Sequence, residues 1–301
     1  MKKDLLGMKS MSQEEILYIL ELAAKEKPKV KDKSLRDSSL KNTSITTLFY
    51  ENSTRTKISF LLAGEYLGAT ADDLNISTSS VAKGETLIDT ATTLDSMGTN
   101  VIIVRHSMTG SANVVARNVN AHVINGGDGI NEHPTQALLD MFTIQQKMGS
   151  FTGLKVAIIG DIANSRVARS NIFGLVKLGA HVTVAGPATL FSNNITALGA
   201  SVTTDVKAAV DGADVVMGLR IQQERQKSSG FPNLNEYAHF FGVNNDMLTF
   251  AKKDAMIMHP GPVNRGVEFS TSVIDGKKSV INEQVENGIA VRMAVLKYLL
   301  D

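Results

Sequence analysis

Short apolar runs rich in β-branched residues recur along this chain, each separated from the next by a stretch with helical spacing. "NVIIVRH" (100–106), "GLKVAIIGD" (153–161) and "ADVVMGLR" (213–220) are the plainest of them. They are too continuously apolar for a strand wetted on one face, so they read as strands buried on both faces. Such strands belong to parallel sheets, whose right-handed crossovers lay helices on either side. The pattern predicts further strands in "TSITTLFYE", "GATADDLNI" and "AHVINGG" in the first half, and in "AHVTVAGP" and "DAMIMHPGP" in the second. A first helix is expected in "SMSQEEILYILELAAKE", where Ser12 and Glu15 stand in capping-box spacing. Others are expected over 53–68, 84–97, 134–149, 165–178 and 283–300. The fold class is therefore α/β, with two doubly wound parallel-sheet domains, 1–135 plus 283–301 and 136–282. The N- and C-terminal helices pack on the first domain.

Composition narrows what such a fold can do. The 301 residues are 43% hydrophobic and 20% charged, with a net charge of +1. No cluster of Lys or Arg is dense enough to follow a phosphate backbone, so nucleic acid is not an expected partner. The Lys-rich piece "KEKPKVKDK" (25–33) reads as a solvated linker broken by Pro28. Without cysteine there are no disulfides, thiolate metal sites or thiol nucleophiles. No apolar run approaches the ~20 residues of a membrane helix. The opening "MKKDLLGMKSMS" lacks an h-region and a cleavage site, so no signal peptide and a cytoplasmic location are expected. The stretch 222–242 has no clear period and reads as a long irregular loop, a common form of lid.

Within the stretch "FYENSTRTKISF" (49–60), residues 52–57 gather three hydroxyls and two cations where a strand hands over to a helix. Capping by Asn52 or Ser53 is one reading. However, Arg55 in the first turn opposes the helix dipole, which a bound anion offsets. Free N–H groups, Ser53, Thr54, Thr56 and the Arg55 fork then form an anion seat. In "STSSVAKGET" (77–86), Ser79 and Lys83 precede a helix and Gly84 permits close backbone approach. A solvated loop is the competing reading there. Arg105 ends an apolar strand, at the edge where open α/β sheets bind ligands.

His133 stands before a Pro-led helix with Gln136 three residues on. It is either a cap or, with Arg105, a second donor toward one carbonyl oxygen. After "GLKVAIIGD" the Gly-x-Gly-x-x-Gly fingerprint is missing, which disfavours a dinucleotide enzyme. Arg166 and Arg169 follow there. Arg220 ends another strand, with Gln222 and Arg225 beyond it, and "HPGPVNRG" (259–266) is a stiff loop offering the carbonyls of Pro260 and Gly261. No Asp/Glu/His set resembles a metal site, and no Ser-His-Asp order stands out. Arg55, Arg105, Arg166 and Arg220 lie at strand edges divided between two domains. They suit a cleft for two anionic substrates, with chemistry resting on orientation and on donors aimed at developing charge.

In their order and spacing, "STRT", "SxxxKGE", "RH", "HPTQ", "SRVARS", "LRIQxER" and "HPxPVNRG" resemble the catalytic chain of the aspartate carbamoyltransferase family, bacterial type, over nearly the whole sequence. The resemblance implies a transferase without cofactor or metal that moves the carbamoyl group of carbamoyl phosphate to L-aspartate. It implies that Ser53, Thr54, Arg55, Thr56 and Arg105 hold the phosphate. Thr56, Arg105 and His133 would polarise the carbamoyl oxygen, and Gln136 would meet the carbamoyl amide. Ser79 and Lys83 would enter from a neighbouring subunit of a homotrimer with shared sites. Arg166, Arg220, Gln222 and Lys83 would bind aspartate together with the carbonyls of Pro260 and Gly261. Glu51 would bridge to Arg166 and Arg225 on domain closure. Asn52 stands where relatives carry Pro or Ala, and Gly261 replaces a larger residue.

Regulatory or dihydroorotase chains as further partners are left open. "STRT" and "HPTQ" also occur in the ornithine branch, so a different amine acceptor is the alternative. Ornithine would need an acidic partner for its side-chain ammonium, and the corresponding positions carry arginines, which favours a dicarboxylate. Loss of one oxyanion donor typically lowers turnover about a hundredfold. His133→Ala is expected to show a loss of that size in steady-state rate, and near-normal turnover would remove His133 from the reaction.

Overall fold

The computed structural model describes residues 3–76, 79–191, 194–221 and 233–301. They form two compact units, Met1–Phe142 with Val285–Asp301 and Thr143–Gln284. The first division falls inside the helix Pro134–Met148 and the second inside Ile281–Leu300. A division at 135/136 lies in the first turn of the same helix.

The first unit holds a four-stranded parallel sheet of β1 (Ser44–Phe49), β2 (Thr70–Leu74), β3 (Val101–His106) and β4 (His122–Asp128). The strand order is β2-β1-β3-β4. Leu48, Ile102, Val104 and Val123 pack against Ala112 and Val115 of the helix Ser111–Ala116. The N-terminal helix Gln13–Glu26 buries Ile16, Ile19, Leu20 and Ala23 and realises its capping box. Ser12 Oγ accepts from the Glu15 amide at 3.2 Å, and Glu15 Oε2 accepts from the Ser12 amide at 2.8 Å. This helix is tied to Ile281–Leu300 by Tyr298 Oη to Glu15 (2.6 Å) and Lys297 to Glu26 (2.8 Å).

The second unit holds β5 (Lys155–Ile159), β6 (His181–Ala185), β7 (Ser201–Thr203), β8 (Val215–Gly218) and β9 (Met256–Met258). All are parallel, in the order β7-β6-β5-β8-β9. Ala157, Ile159, Val216 and Ile257 form one core with Val206, Val210, Phe269 and Val273. Each sheet thus reverses its winding between two neighbouring strands, β1/β3 in the first and β5/β8 in the second. The carboxyl ends of those pairs are topological switch points, where crossovers leave on opposite faces and open a crevice.

Two expectations are corrected. The piece 25–33 is no solvated linker: Pro28–Lys31 forms a helical turn, and Lys29 reaches Glu26 at 2.6 Å and Asp37 at 2.5 Å. Burial raises the Asp37 carboxyl, but the bonds from Lys29 and Ser39 and the charge of Lys297 together outweigh it and hold the group well below the usual carboxylate range. Within 222–242, residues 222–232 lie outside the described residues, and Leu234–Phe241 is a helix rather than an irregular loop. Its start signal is Asn233, whose side chain accepts from the Glu236 amide at 2.9 Å. The sequence pattern also gives no sign of β7, a three-residue edge strand.

Gly160 shows how tightly the second switch point is built. Its φ is 141°, and a Cβ there would sit 2.7 Å from the Leu219 carbonyl oxygen and 2.9 Å from Leu219 Cβ. Only glycine lets the end of β5 pass the end of β8. Gly160→Ala is expected to lower stability by about 1–3 kcal/mol in urea unfolding. It should also weaken whatever ligand Arg220 binds, because Arg220 follows Leu219 directly. A variant of unchanged stability would show that this close approach is not needed.

Candidate active site

At the first switch point the β1–β3 register pairs Phe49 with Arg105. Beyond β1 the Tyr50 amide still donates to the Arg105 carbonyl at 2.8 Å, so the chain leaves the sheet beside the arginine. Arg105 is 9% exposed. Its Nη1 donates to the Gly126 carbonyl at 3.1 Å, and its Nη2 to Glu51 Oε1 at 2.6 Å. A carboxylate of the chain itself thus occupies part of the guanidinium fork.

The helix Thr54–Tyr66 begins three residues after Glu51, with extended Ser53 as its N-cap. The Ser53 side chain makes no capping bond, and the first turn has no acidic residue. First-turn N–H groups that no side chain caps, the positive end of the dipole, exposed Arg55 and buried Thr56 are what an anion needs. Lys57, the second cation of the stretch, is committed elsewhere: it pairs with Asp73 at 2.8 Å, and Asp73 also accepts from Thr47 Oγ1 at 2.6 Å.

His133 enters from β4 and is buried. Its carbonyl accepts from the Gln136 and Ala137 amides, which starts the Pro134 helix. The loop before it is held by Asp128, whose Oδ1 accepts from Asn125 Nδ2 (2.7 Å) and the Glu132 amide (3.1 Å). Asp128 Oδ2 accepts from the Gly110 amide at 2.7 Å. Glu132 in turn accepts from the Met8 amide at 2.5 Å and the Lys9 amide at 3.3 Å. Gln136 Nε2 donates to Asp140 at 2.9 Å. Beside Arg105, burial pushes the His106 imidazole below its usual pKa against the opposing pull of Glu51, so the ring is neutral at pH 7. Its Nδ1 accepts from the Met108 amide at 2.9 Å.

Ser79 and Lys83 lie after β2. Ser79 Oγ donates to the Ile76 carbonyl at 3.0 Å and accepts from the Val81 amide at 3.3 Å. Lys83 is exposed and makes no ion pair among the described residues.

In the second unit, Arg166 is the first residue of the helix Arg166–Lys177, capped by Ser165, and is 3% exposed. Arg220 follows β8 and is half-buried. Next to it, buried Glu268 accepts from the Ile221 amide at 3.1 Å and from Asn264 through both its amide and its side chain at 2.8 Å. Burial raises the Glu268 carboxyl in spite of these bonds. This carboxylate clamps the Arg220 segment to the "HPGPVNRG" loop. There the Gly261 amide donates to His259 Nδ1 at 2.9 Å, and Gly261 sits at φ +62°, a conformation that suits glycine. Gln222 and Arg225 lie outside the described residues.

Glu51, Ser53, Thr54, Arg55 and Thr56 follow β1, Arg105 lies at the end of β3, and His133 and Gln136 follow β4, all at the carboxyl edge of the first sheet. Arg166, Arg220, Pro260 and Gly261 lie on segments that follow β5, β8 and β9 in the second unit. Among the described residues no group of three or more His, Asp or Glu side chains could hold a metal ion, and no helix is long and apolar enough to cross a membrane.

The family model described as aspartate/ornithine carbamoyltransferase, carbamoyl-P binding domain, matches residues 3–146, and the one described as the Asp/Orn binding domain matches 152–299. The chain belongs to the aspartate/ornithine carbamoyltransferase family. It is 61% identical over 298 residues to a protein of Acetivibrio thermocellus named aspartate carbamoyltransferase catalytic subunit, covering 99% of this chain and 95% of the relative. Aspartate transcarbamoylase of Trypanosoma cruzi, solved with carbamoyl phosphate and aspartate, superposes with a TM-score of 0.88 at 30% identity, over 98% and 96% of the two chains. Ornithine carbamoyltransferase of Pyrococcus furiosus superposes at 0.84 with 34% identity, over 98% and 96%. Both branches of the family therefore share this fold, and the backbone alone does not choose the acceptor.

The Glu51–Arg105 pair generates a prediction. An incoming dianion competes with Glu51 for the same guanidinium. Glu51→Gln is expected to tighten inorganic phosphate about fivefold, or ~1 kcal/mol, in calorimetric titration. Unchanged or weaker phosphate binding would show that the pair does not compete with ligand.

Proposed function

We infer that the chain is the catalytic chain of an aspartate carbamoyltransferase. It transfers the carbamoyl group of carbamoyl phosphate to the amine of L-aspartate, giving N-carbamoyl-L-aspartate and phosphate. The observation that carries this reading is the 61% identity to a named aspartate carbamoyltransferase catalytic subunit over nearly the full length of both proteins. The Trypanosoma cruzi relative has also been solved with carbamoyl aspartate and phosphate.

The residues support a division of labour. The uncapped helix N-terminus with Ser53, Thr54, Arg55 and Thr56, together with Arg105, takes the phosphate dianion. Guanidinium forks match phosphate and carboxylate geometry alike, which suits Arg55 and Arg105 here and Arg166 and Arg220 to the two carboxylates of aspartate. Gln222 and the carbonyls of Pro260 and Gly261 complete the aspartate site. The free amine attacks the carbamoyl carbon, charge grows on the carbonyl oxygen, and the intermediate collapses with loss of phosphate and a proton. Thr56, Arg105 and His133 are the donors for that oxyanion. Their value lies in being fixed before the charge appears. The Asp128 and Glu132 bonds around the His133 loop supply that rigidity.

Ser79 and Lys83 serve a neighbouring subunit in a homotrimer with shared sites. The exposure of Lys83 and its lack of a carboxylate partner among the described residues support this. Relatives named catalytic subunit support a further, regulatory chain. The enzyme works in the cytoplasm without cofactor.

The test is phosphate release from carbamoyl phosphate by purified protein, with L-aspartate and L-ornithine in parallel. Aspartate-dependent release with carbamoyl aspartate formed is expected. Ornithine-dependent release would keep the fold and the first substrate but overturn the roles of Arg166 and Arg220. No release with either acceptor would overturn the reading.

A further inference from the structure

Gln136 is 8% exposed, and its one hydrogen-bonded side-chain partner among the described residues is Asp140, one turn on in the same helix. Asp140 is fully buried. Near it lies Arg292 of the helix Ile281–Leu300, 3% exposed, which donates to the Gly288 carbonyl at 2.8 Å. The Arg292 guanidinium stands 5.1 Å from the Phe60 ring centroid. Phe60 belongs to the Thr54 helix, whose N-terminus forms the anion seat. Burial lowers the Arg292 pKa to about 10 while Asp140 pulls it upward, so the cation and the carboxylate sense each other. Neither carboxylate nor guanidinium is among the reacting groups. A buried carboxylate is a poor source of stability compared with an apolar residue of the same volume. Its presence behind a ligand site calls for another account.

We propose that Asp140 is a positioning residue that fixes the amide of Gln136, so that Gln136 Oε1 is left to accept from the carbamoyl –NH₂ group. This rests on the reading above that Gln136 meets that amide. The argument is one of donors and acceptors. An ionised carboxylate only accepts, so the Gln136 atom facing it must be the –NH₂ end. The carbonyl end then points away from Asp140. A free glutamine amide presents either end, and the wrong one sets –NH₂ against –NH₂. The Arg292 cation, which interacts with Asp140, favours the charged form of that carboxylate. Selection by hydrogen bonding in a buried site is strong because the wrong ligand leaves a polar group unpaired. Asp140 therefore acts on substrate choice through Gln136 and distinguishes a carbamoyl group from an acyl group of the same shape.

Two stable phosphonates test this: phosphonoacetamide, which carries the –CO–NH₂ group, and 2-oxopropylphosphonate, which has methyl in place of –NH₂. The full-length wild-type protein should bind the amide about tenfold more tightly in calorimetry. If it binds neither phosphonate, the anion-site reading fails; if it binds both equally, the Gln136 contact fails, and both results are visible before any variant is made. In Asp140→Asn, the side chain offers Gln136 a donor as well as an acceptor, so the Gln136 amide is no longer held in one orientation. The amide preference should fall to about one, with the ketone bound within about twofold of wild type. Retention of the preference, or equal weakening of both ligands as a purely structural role would give, overturns the proposal. Where Asp140→Asn does not fold, the double variant D140L/R292M replaces both buried charges by apolar groups and takes the same readout. Failure of both to fold assigns the pair a structural role and likewise overturns it.

Discussion

The register of β1 against β3 is the constraint on which the first site depends. The two strands are hydrogen-bonded neighbours, yet the chain reaches β2 and β4 from them on opposite flanks of the sheet. That reversal sets Phe49 beside Arg105 and puts the Thr54 helix directly after β1. A one-residue slip would turn Arg105 to the opposite face of the sheet. The apolar run Val101–Val104, buried at every position, prevents this because a shifted register would have to repack both faces. Core packing thus fixes the direction of a charged group that contributes little to that packing.

The same logic holds at β5 and β8, with a different device. There the close approach is between backbones, Gly160 against Leu219, and Glu268 then fastens Ile221 to Asn264. Arg220 is held from both sides in sequence: the residue before it bonds to Ile159 at 2.8 Å, and the residue after it bonds to Glu268. A long side chain on so confined a backbone loses less freedom on binding than one on a loose loop.

What the sequence made legible follows from this. Strands buried on both faces, such as "NVIIVRH", carry a strong apolar signal, and the arginines at their ends were readable because charge after an apolar run has no packing reason. The capping box at Ser12 was readable because two side chains at fixed spacing carry it. Ser201–Thr203 was not, since a three-residue edge strand with little burial leaves no period. The supporting carboxylates were also hidden. Asp128, Glu132, Asp140 and Glu268 are single acids within otherwise ordinary stretches, and they bond to backbone amides that every residue has or to side chains a turn or less away, such as Asn125, Gln136 and Asn264. Tertiary structure alone reveals that Glu132 reaches the Met8 amide. Lys57 misleads in the opposite sense: it stands within the anion motif, but Asp73 on the neighbouring strand neutralises it.

The disposition of charge explains how a site for a dianion survives without one. Arg105 is almost buried, and an uncompensated guanidinium there would be costly. Glu51 compensates it at 2.6 Å, yet Glu51 lies just past β1 with its side chain about a quarter exposed. A carboxylate on such a segment has water as an alternative partner, whereas one set in a strand or helix interior does not. Asp140 is the contrast. It is fully buried and in the middle of a helix, so it has no such alternative and holds its neighbour in one orientation. The two carboxylates differ in burial rather than in chemistry. On the reading proposed above, that difference makes Glu51 a partner that ligand can displace and Asp140 one that it cannot.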